Sequence, residues 1–308
     1  MQNRSWLLVP GDSERKLGKA FATGADVIVV DLAESVAIGA KHDARRMAVE
    51  WLEAHRRQIL ENRRLGRWVR INPFESRQWR EDLIAVAGAA PDGIVLPDTA
   101  GTESVRQLAA ELYELEQTRQ VPSGSIKIMP VLGSSALAAS SILAFAEAGL
   151  PRLAGMTWDA DKLARSIGAA PCRDAGKGWT GALALTRAQV LLAAHANGIL
   201  AIETCCSDAD EEAGKAAVRD ARADGFSGMF AAHPSQIAEI NAAFSPTHDE
   251  IEFARRVIAV FDASSDSDEL QIDRRTIGPN QLRQAQRLLH IEAAPDQHAA
   301  RPPILRPA

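Results

Sequence analysis

Eight short, unbroken apolar runs recur along the chain, at 5–9, 27–32, 68–72, 93–97, 127–132, 153–158, 200–204 and 228–232. Longer segments with helical spacing separate most of them, at 14–23, 41–61, 77–87, 102–119, 134–148, 183–197 and 210–224. The runs are continuous and not alternating, as expected of strands buried on both faces. Strand and helix in strict alternation imply parallel pairing through right-handed crossovers. Eight such units close into a (β/α)8 TIM barrel. A doubly wound open sheet lacks its signature here, because Val9-Pro10-Gly11-Asp12 after the first run is not a Gly-x-Gly-x-x-Gly turn.

The barrel is expected over residues 1–262, with 246–261 as its last helix and an insertion rich in Gly, Pro and Ala at 169–181. A C-terminal linker and helix are expected over 263–292, with helical spacing at 280–290, and a frayed tail over 293–308. An apolar content of 46% against 24% charged residues supports a large core and excludes a disordered chain. The net charge is −5 and no basic run occurs, which argues against a nucleic-acid partner. No apolar stretch is long enough to span a bilayer, and residues 1–10 carry no cleavage signature, so neither a membrane partner nor secretion is expected. Cysteines are three, Cys172, Cys205 and Cys206, two of them adjacent. That count fits a reducing cytoplasm better than a disulfide framework.

A barrel places its chemistry at the carboxyl ends of the strands. The charged residues there are Asp31, Glu34, Arg70, Asp98, Lys162 and Glu203. A rim of mixed sign points to a polar pocket for a small anionic ligand. His233, at the end of the eighth run, is read as a scaffold residue. Cys205 and Cys206 lack metal-ligand spacing and are read as small buried residues. The six tryptophans are scattered and read as core or interface, and the spacing leaves the direction of Arg187 open.

Segments 6–12, 26–36, 69–73, 93–97, 231–236 and 244–261 together resemble the citrate lyase β-subunit-like and malyl-CoA lyase superfamily, related to the HpcH/HpaI aldolases. The opening Val9-Pro10-Gly11-Asp12 with Arg15 and Lys19 carries the resemblance, as does the ending His233-Pro234-Ser235-Gln236 with Phe244 and Arg255-Arg256. It implies a TIM barrel assembled as a homotrimer or hexamer that makes or breaks carbon–carbon bonds in 3-hydroxyacyl thioesters, with Mg²⁺ as cofactor. By the same resemblance Arg70 holds a substrate carboxylate, and Arg15 and Lys19 meet the phosphates of a CoA thioester. For Arg70 the alternative is a structural ion pair with Glu34 or Glu203, and for Lys19 a solvated basic face. Glu34 is a candidate acid–base group in place of the family's Asp, or a salt-bridge partner.

Several positions depart from the family pattern. Where its fifth strand ends in a metal-binding Glu this chain has Gly133, and where an Asp ligand follows its sixth strand this chain has Lys162. The family's Asp-Leu-Glu-Asp becomes Asp31-Leu32-Ala33-Glu34, its Leu-Pro-Lys becomes Leu96-Pro97-Asp98, and a C-terminal Asp becomes Gly278. Mg²⁺ requires hard oxygen ligands, and an ammonium repels a divalent cation. The expectation is therefore that no metal is bound, although Asp159 and Asp161 flank the changed position. Lys162 and Asp98 are expected to approach across the gap left by Gly133. Three readings stay open: a lyase or aldolase of this superfamily, a silent relative that binds a CoA thioester or dicarboxylate, and a metal-free aldolase forming an imine on Lys162.

Overall fold

The computed structural model describes residues 3–56, 65–169, 173–174, 178–205, 211–263, 270–272 and 275–293. Its strands are β1 (Ser5–Pro10), β2 (Val27–Asp31), β3 (Gly66–Arg70), β4 (Gly93–Leu96), β5 (Lys127–Leu132) and β6 (Gly155–Trp158). A two-stranded antiparallel pair, the hairpin β7 (Arg173–Asp174) with β8 (Gly178–Trp179), lies within the insertion, and β9 (Leu200–Glu203) and β10 (Gly228–Ala231) follow. All but the hairpin close into a parallel barrel in the order β1-β10-β9-β6-β5-β4-β3-β2. The eight expected runs thus supply the eight barrel strands.

Helices α1 (Glu14–Ala20), α2 (Lys41–Ala54), α3 (Gln78–Val86), α4 (Thr102–Thr118), α5 (Ala136–Ser140), α6 (Ala160–Ile167), α7 (Gly181–Ala196), α8 (Glu211–Asp224) and α9 (Ile237–Ala243) accompany the barrel. Three differ from expectation, α5, α6 and α9, the last lying in a segment where no helix is expected. The segment 134–148 forms only the short α5 and a 3₁₀ turn, Ile142–Phe145. There Ser140 and Ser141 donate their hydroxyls to carbonyls of the preceding turn, at 2.9 Å each, which competes with helix continuation. Helix α6 was not anticipated. Asp159 caps it by accepting from the Lys162 N–H at 2.9 Å, and Gly168, at φ 68°, ends it in the left-handed region.

Alternation along the strands sends one residue set into the barrel and the other toward the helices. The inner set includes Trp6, Val27, Val29, Trp68, Val95, Met129 and Ile202. Trp6 meets Trp68 edge-on at 5.1 Å between centroids and Phe230 at 5.7 Å. Gly93 makes room for this plug, since a Cβ there would lie 2.4 Å from the Trp68 ring. Five tryptophans are buried, and the sixth, Trp179 of the hairpin, packs edge-on against Trp158 at 4.9 Å. Among the described residues no helix is long and apolar enough to cross a membrane.

The barrel unit spans Asn3–Phe244, and a second compact unit begins at Ser245. The second unit holds α10 (His248–Ala263), the antiparallel pair β11 (Leu270–Ile272) and β12 (Arg275–Ile277), and α11 (Pro279–Ala293). The helix anticipated as the last of the barrel therefore belongs elsewhere. Its Ala254 and Val257 pack with Ile272, Ile277 and Ala285 in a small core of their own. The tail 294–308, Cys172 and Cys206 lie outside the described residues.

Candidate functional site

Asp31 and Arg70 are register partners at the carboxyl ends of β2 and β3. Each stands two residues beyond an inward side chain, Val29 and Trp68, so both enter the barrel mouth. Arg70 donates from Nε and Nη2 to the two Asp31 oxygens, at 2.7 and 2.8 Å. Asp31 is fully buried and also accepts from the Ala33 and Ser35 N–H groups, at 2.9 and 3.0 Å, and from the Ser35 hydroxyl. Burial opposes its charge, but Arg70 and these donors prevail and hold its pKa below the usual carboxylate value.

Lys162, on the first turn of α6, reaches into the same mouth. Its Nζ lies 2.8 and 2.9 Å from the two oxygens of Asp98 and also contacts Glu34. Glu34 in turn sits 3.9 Å from Arg70 Nη2. Burial pulls the Lys162 pKa down, but the hydrogen bonds its ammonium donates to Asp98 and Glu34 outweigh it and raise the value. Asp159 is pushed up by burial, against the Lys162 N–H and ammonium. Asp161, two residues on, is exposed.

The expected approach of Lys162 and Asp98 is therefore present, but Gly133 does not open the gap between them. Gly133 has φ 69°, and a Cβ on it would lie 2.6 Å from Thr186 Cγ2 of α7. A side chain there points toward the helix layer and not across the mouth. Glu203 also departs from expectation. It stands one residue beyond the inward Ile202 and faces outward, where it accepts from Trp158 Nε1 at 2.7 Å and pairs with Arg187. Arg187 bridges onward to Asp224 at 2.6 Å, which answers the open question of its direction. The alternative ion pair of Arg70 with Glu203 is thereby excluded; its main partner is Asp31, with Glu34, the other alternative, 3.9 Å away.

Arg15 and Lys19 are both exposed on α1, one turn apart. His233 is exposed and caps the 3₁₀ turn Pro234–Gln236, consistent with a scaffold role. Cys205 is exposed, not buried, because it follows β9 on the way out of the barrel wall. Gly278 immediately precedes α11, and its N–H donates to Gln281 Oε1 at 2.9 Å.

Lys41 was missed at the sequence level. Its buried ammonium donates to the carbonyls of Leu32 and Ala33, at 2.6 Å each, and to Asn72 Oδ1 at 2.9 Å. Burial lowers its pKa, against the pull of Asp82 and Asp31. Asn72 also donates to the buried Asp82, at 2.7 Å from its amide and 2.8 Å from its backbone. A signal for Lys41 existed: it lies on the same α2 stripe as Ala44, Ala48 and Trp51, all buried. A cavity of about 430 Å³ opens beside Lys41, bounded by Glu34 and Lys162 on one side and by Val36, Pro73 and Pro97.

Residues 4–234 match the model of the HpcH/HpaI aldolase/citrate lyase family. A (3S)-malyl-CoA thioesterase of Cereibacter sphaeroides is 34% identical over 266 residues, covering 84% of this chain and 83% of its own. The citrate lyase subunit beta of Escherichia coli is 29% identical, with 85% and 83% covered. Among solved structures, the protein CitE of Mycobacterium tuberculosis in complex with magnesium, acetoacetate and coenzyme A superposes with a TM-score of 0.71 at 28% identity, over 95% of this chain and 99% of that one. With its parallel eight-stranded barrel and this extent of match, the chain belongs to the HpcH/HpaI aldolase/citrate lyase family.

Proposed function

We propose that the chain is a carbon–carbon lyase or aldolase acting on a CoA thioester or a hydroxy or keto acid, with the Lys162 ammonium standing in the barrel mouth where relatives use a divalent cation. The observation that carries this reading is the grip of Asp98 on Lys162 through both carboxylate oxygens, beside the open edge of Arg70. The residues do not fit Mg²⁺. Gly133 offers no side-chain ligand, and a divalent ion among Glu34, Asp98 and Asp159 would stand against the ammonium that Asp98 and Glu34 already neutralise.

Aldol cleavage of a 3-hydroxyacyl thioester takes a proton from the hydroxyl, breaks the bond between the α and β carbons and leaves an enolate to be reprotonated. Positive charge near the departing carbonyl stabilises that change. Arg70 and Lys162 supply it, and Glu34 is the acid–base candidate, since it is the most exposed carboxylate facing them, whereas Asp31 and Asp98 each hold a cation with both oxygens. Arg15 and Lys19 are proposed to meet CoA phosphates, as helix-borne cations on the exposed start of α1. An imine on Lys162 is not supported: an ammonium held charged by two carboxylates is the wrong state for a nucleophilic amine. The alternative is a silent relative that binds the same ligands without turnover. A homotrimer or hexamer is proposed as the assembly.

Assays with malyl-CoA and citramalyl-CoA, with EDTA or Mg²⁺, test the reading. Turnover is expected to survive EDTA, and Lys162→Met is expected to lower kcat/KM by about 100-fold. Binding without turnover would select the silent alternative. A micromolar Mg²⁺ site in calorimetry, abolished by Asp159→Ala, would defeat the metal-free reading.

A further inference from the structure

Glu34 occupies an unusual place for an exposed side chain. One oxygen contacts the Lys162 ammonium, and the other lies 3.9 Å from Arg70 Nη2. Its carboxylate thus spans the two cations of the mouth, as the carboxylate of a bound acid would. Neither cation depends on it. Lys162 keeps both oxygens of Asp98, and Arg70 keeps both oxygens of Asp31. The backbone beneath Glu34 is fixed without its side chain. Asp31 holds the Ala33 and Ser35 N–H groups, and Lys41 holds the Leu32 and Ala33 carbonyls. The side chain itself is 53% exposed and borders the 430 Å³ cavity together with Lys162. Rotation about its own bonds would free the slot while the loop stays in place.

We propose that Glu34 is an internal stand-in for a ligand carboxylate: it fills the slot between Lys162 and Arg70 in the free chain, and a small carboxylic acid binds by displacing it. The proposal rests on Lys162 serving as the cation of the mouth. With Glu34 swung out, Asp31 balances Arg70 and Asp98 balances Lys162, so the slot presents the third ammonium proton and the outer guanidinium edge to an incoming anion. A ligand that must first empty its own site binds more weakly by the fraction of molecules in which the site is open. Glu34 therefore sets a threshold for small acids. A ligand with additional contacts in the cavity overcomes it, and a lone carboxylate such as acetate does so least.

Calorimetric titration with acetoacetate in EDTA tests this, with binding and not turnover as the readout. Glu34→Gln and Glu34→Ala are expected to bind acetoacetate at least about tenfold more tightly than the unaltered chain. Affinity that is unchanged or weaker in both variants overturns the proposal. Lys162→Met separates the two ideas. If it abolishes acetoacetate binding while Glu34→Gln brings no gain, only the stand-in role falls. If binding ignores Lys162→Met, the reading of Lys162 falls and the stand-in role falls with it. Absence of binding to every form in EDTA overturns both.

Discussion

Asp31 is the most committed carboxylate of the mouth, with a two-pronged bond to Arg70 and two backbone donors. Because its folded pKa is lowered, its contribution to stability is complete above the unfolded value of about 3.9 and fades as pH falls through the folded value. Asp31→Asn leaves the buried Arg70 with only the exposed Glu34, 3.9 Å away, as a near counter-charge and is expected to cost about 3 kcal/mol near neutral pH. Urea unfolding at several pH values should show the gap between the two proteins closing below pH ~4. A gap independent of pH would mean that the charge of Asp31 is not what matters. At this scale the sequence located the charges and one of their pairings, Lys162 with Asp98, but not that of Arg70 with Asp31 or of Glu203 with Arg187. Arg70 and Glu34 stand out as charges just past apolar runs, whereas Glu203, equally placed, faces outward because a one-residue change of parity reverses a side chain. Parity follows from register, which only the closed barrel reveals. Lys41 was hidden for a different reason, since a lysine at a helix start reads as solvated unless the buried stripe of α2 is followed back to it.

At the scale of elements, the strands were legible because a doubly buried strand has few sequences available to it, mostly continuous Val, Ile and Leu. Helices α5 and α6 were not, because serines at 140 and 141 shorten one and the other is made by its caps. The junction after β5 combines both lessons. Gly133 is required twice, by its positive φ and by the Thr186 methyl group that faces it. Gly133→Ala is expected to destabilise by about 2 kcal/mol in chemical denaturation, from backbone strain and overpacking together. Adding Thr186→Ser removes the methyl while keeping the hydroxyl, which donates to the Ala182 carbonyl at 2.8 Å, and should recover part of that loss. A neutral Gly133→Ala would show that the turn is not held in this conformation. The same geometry argues that Gly133→Glu would not by itself place a carboxylate in the barrel mouth.

For the molecule as a whole, the barrel unit ends at Phe244, well before the boundary at 262 that helical spacing implied. Helical spacing shows that α10 has an apolar face, but not which partner covers it, and here the partners are β11, β12 and α11. The barrel unit holds its own inner plug and its own larger helix-facing core. The proposed trimer or hexamer needs a contact surface, and we propose α11, at the end of the second unit, as part of it. A chain ending at Phe244 is therefore expected to remain a cooperatively melting barrel but to lose the proposed assembly. Light scattering should give a multiple of 33.2 kDa for the full chain and a single barrel for the shortened one. A full chain that scatters as a stable monomer would end the assembly proposal. A shortened chain that no longer melts cooperatively would show that the barrel depends on its C-terminal unit, and one that keeps its multiple would place the subunit interface on the barrel itself.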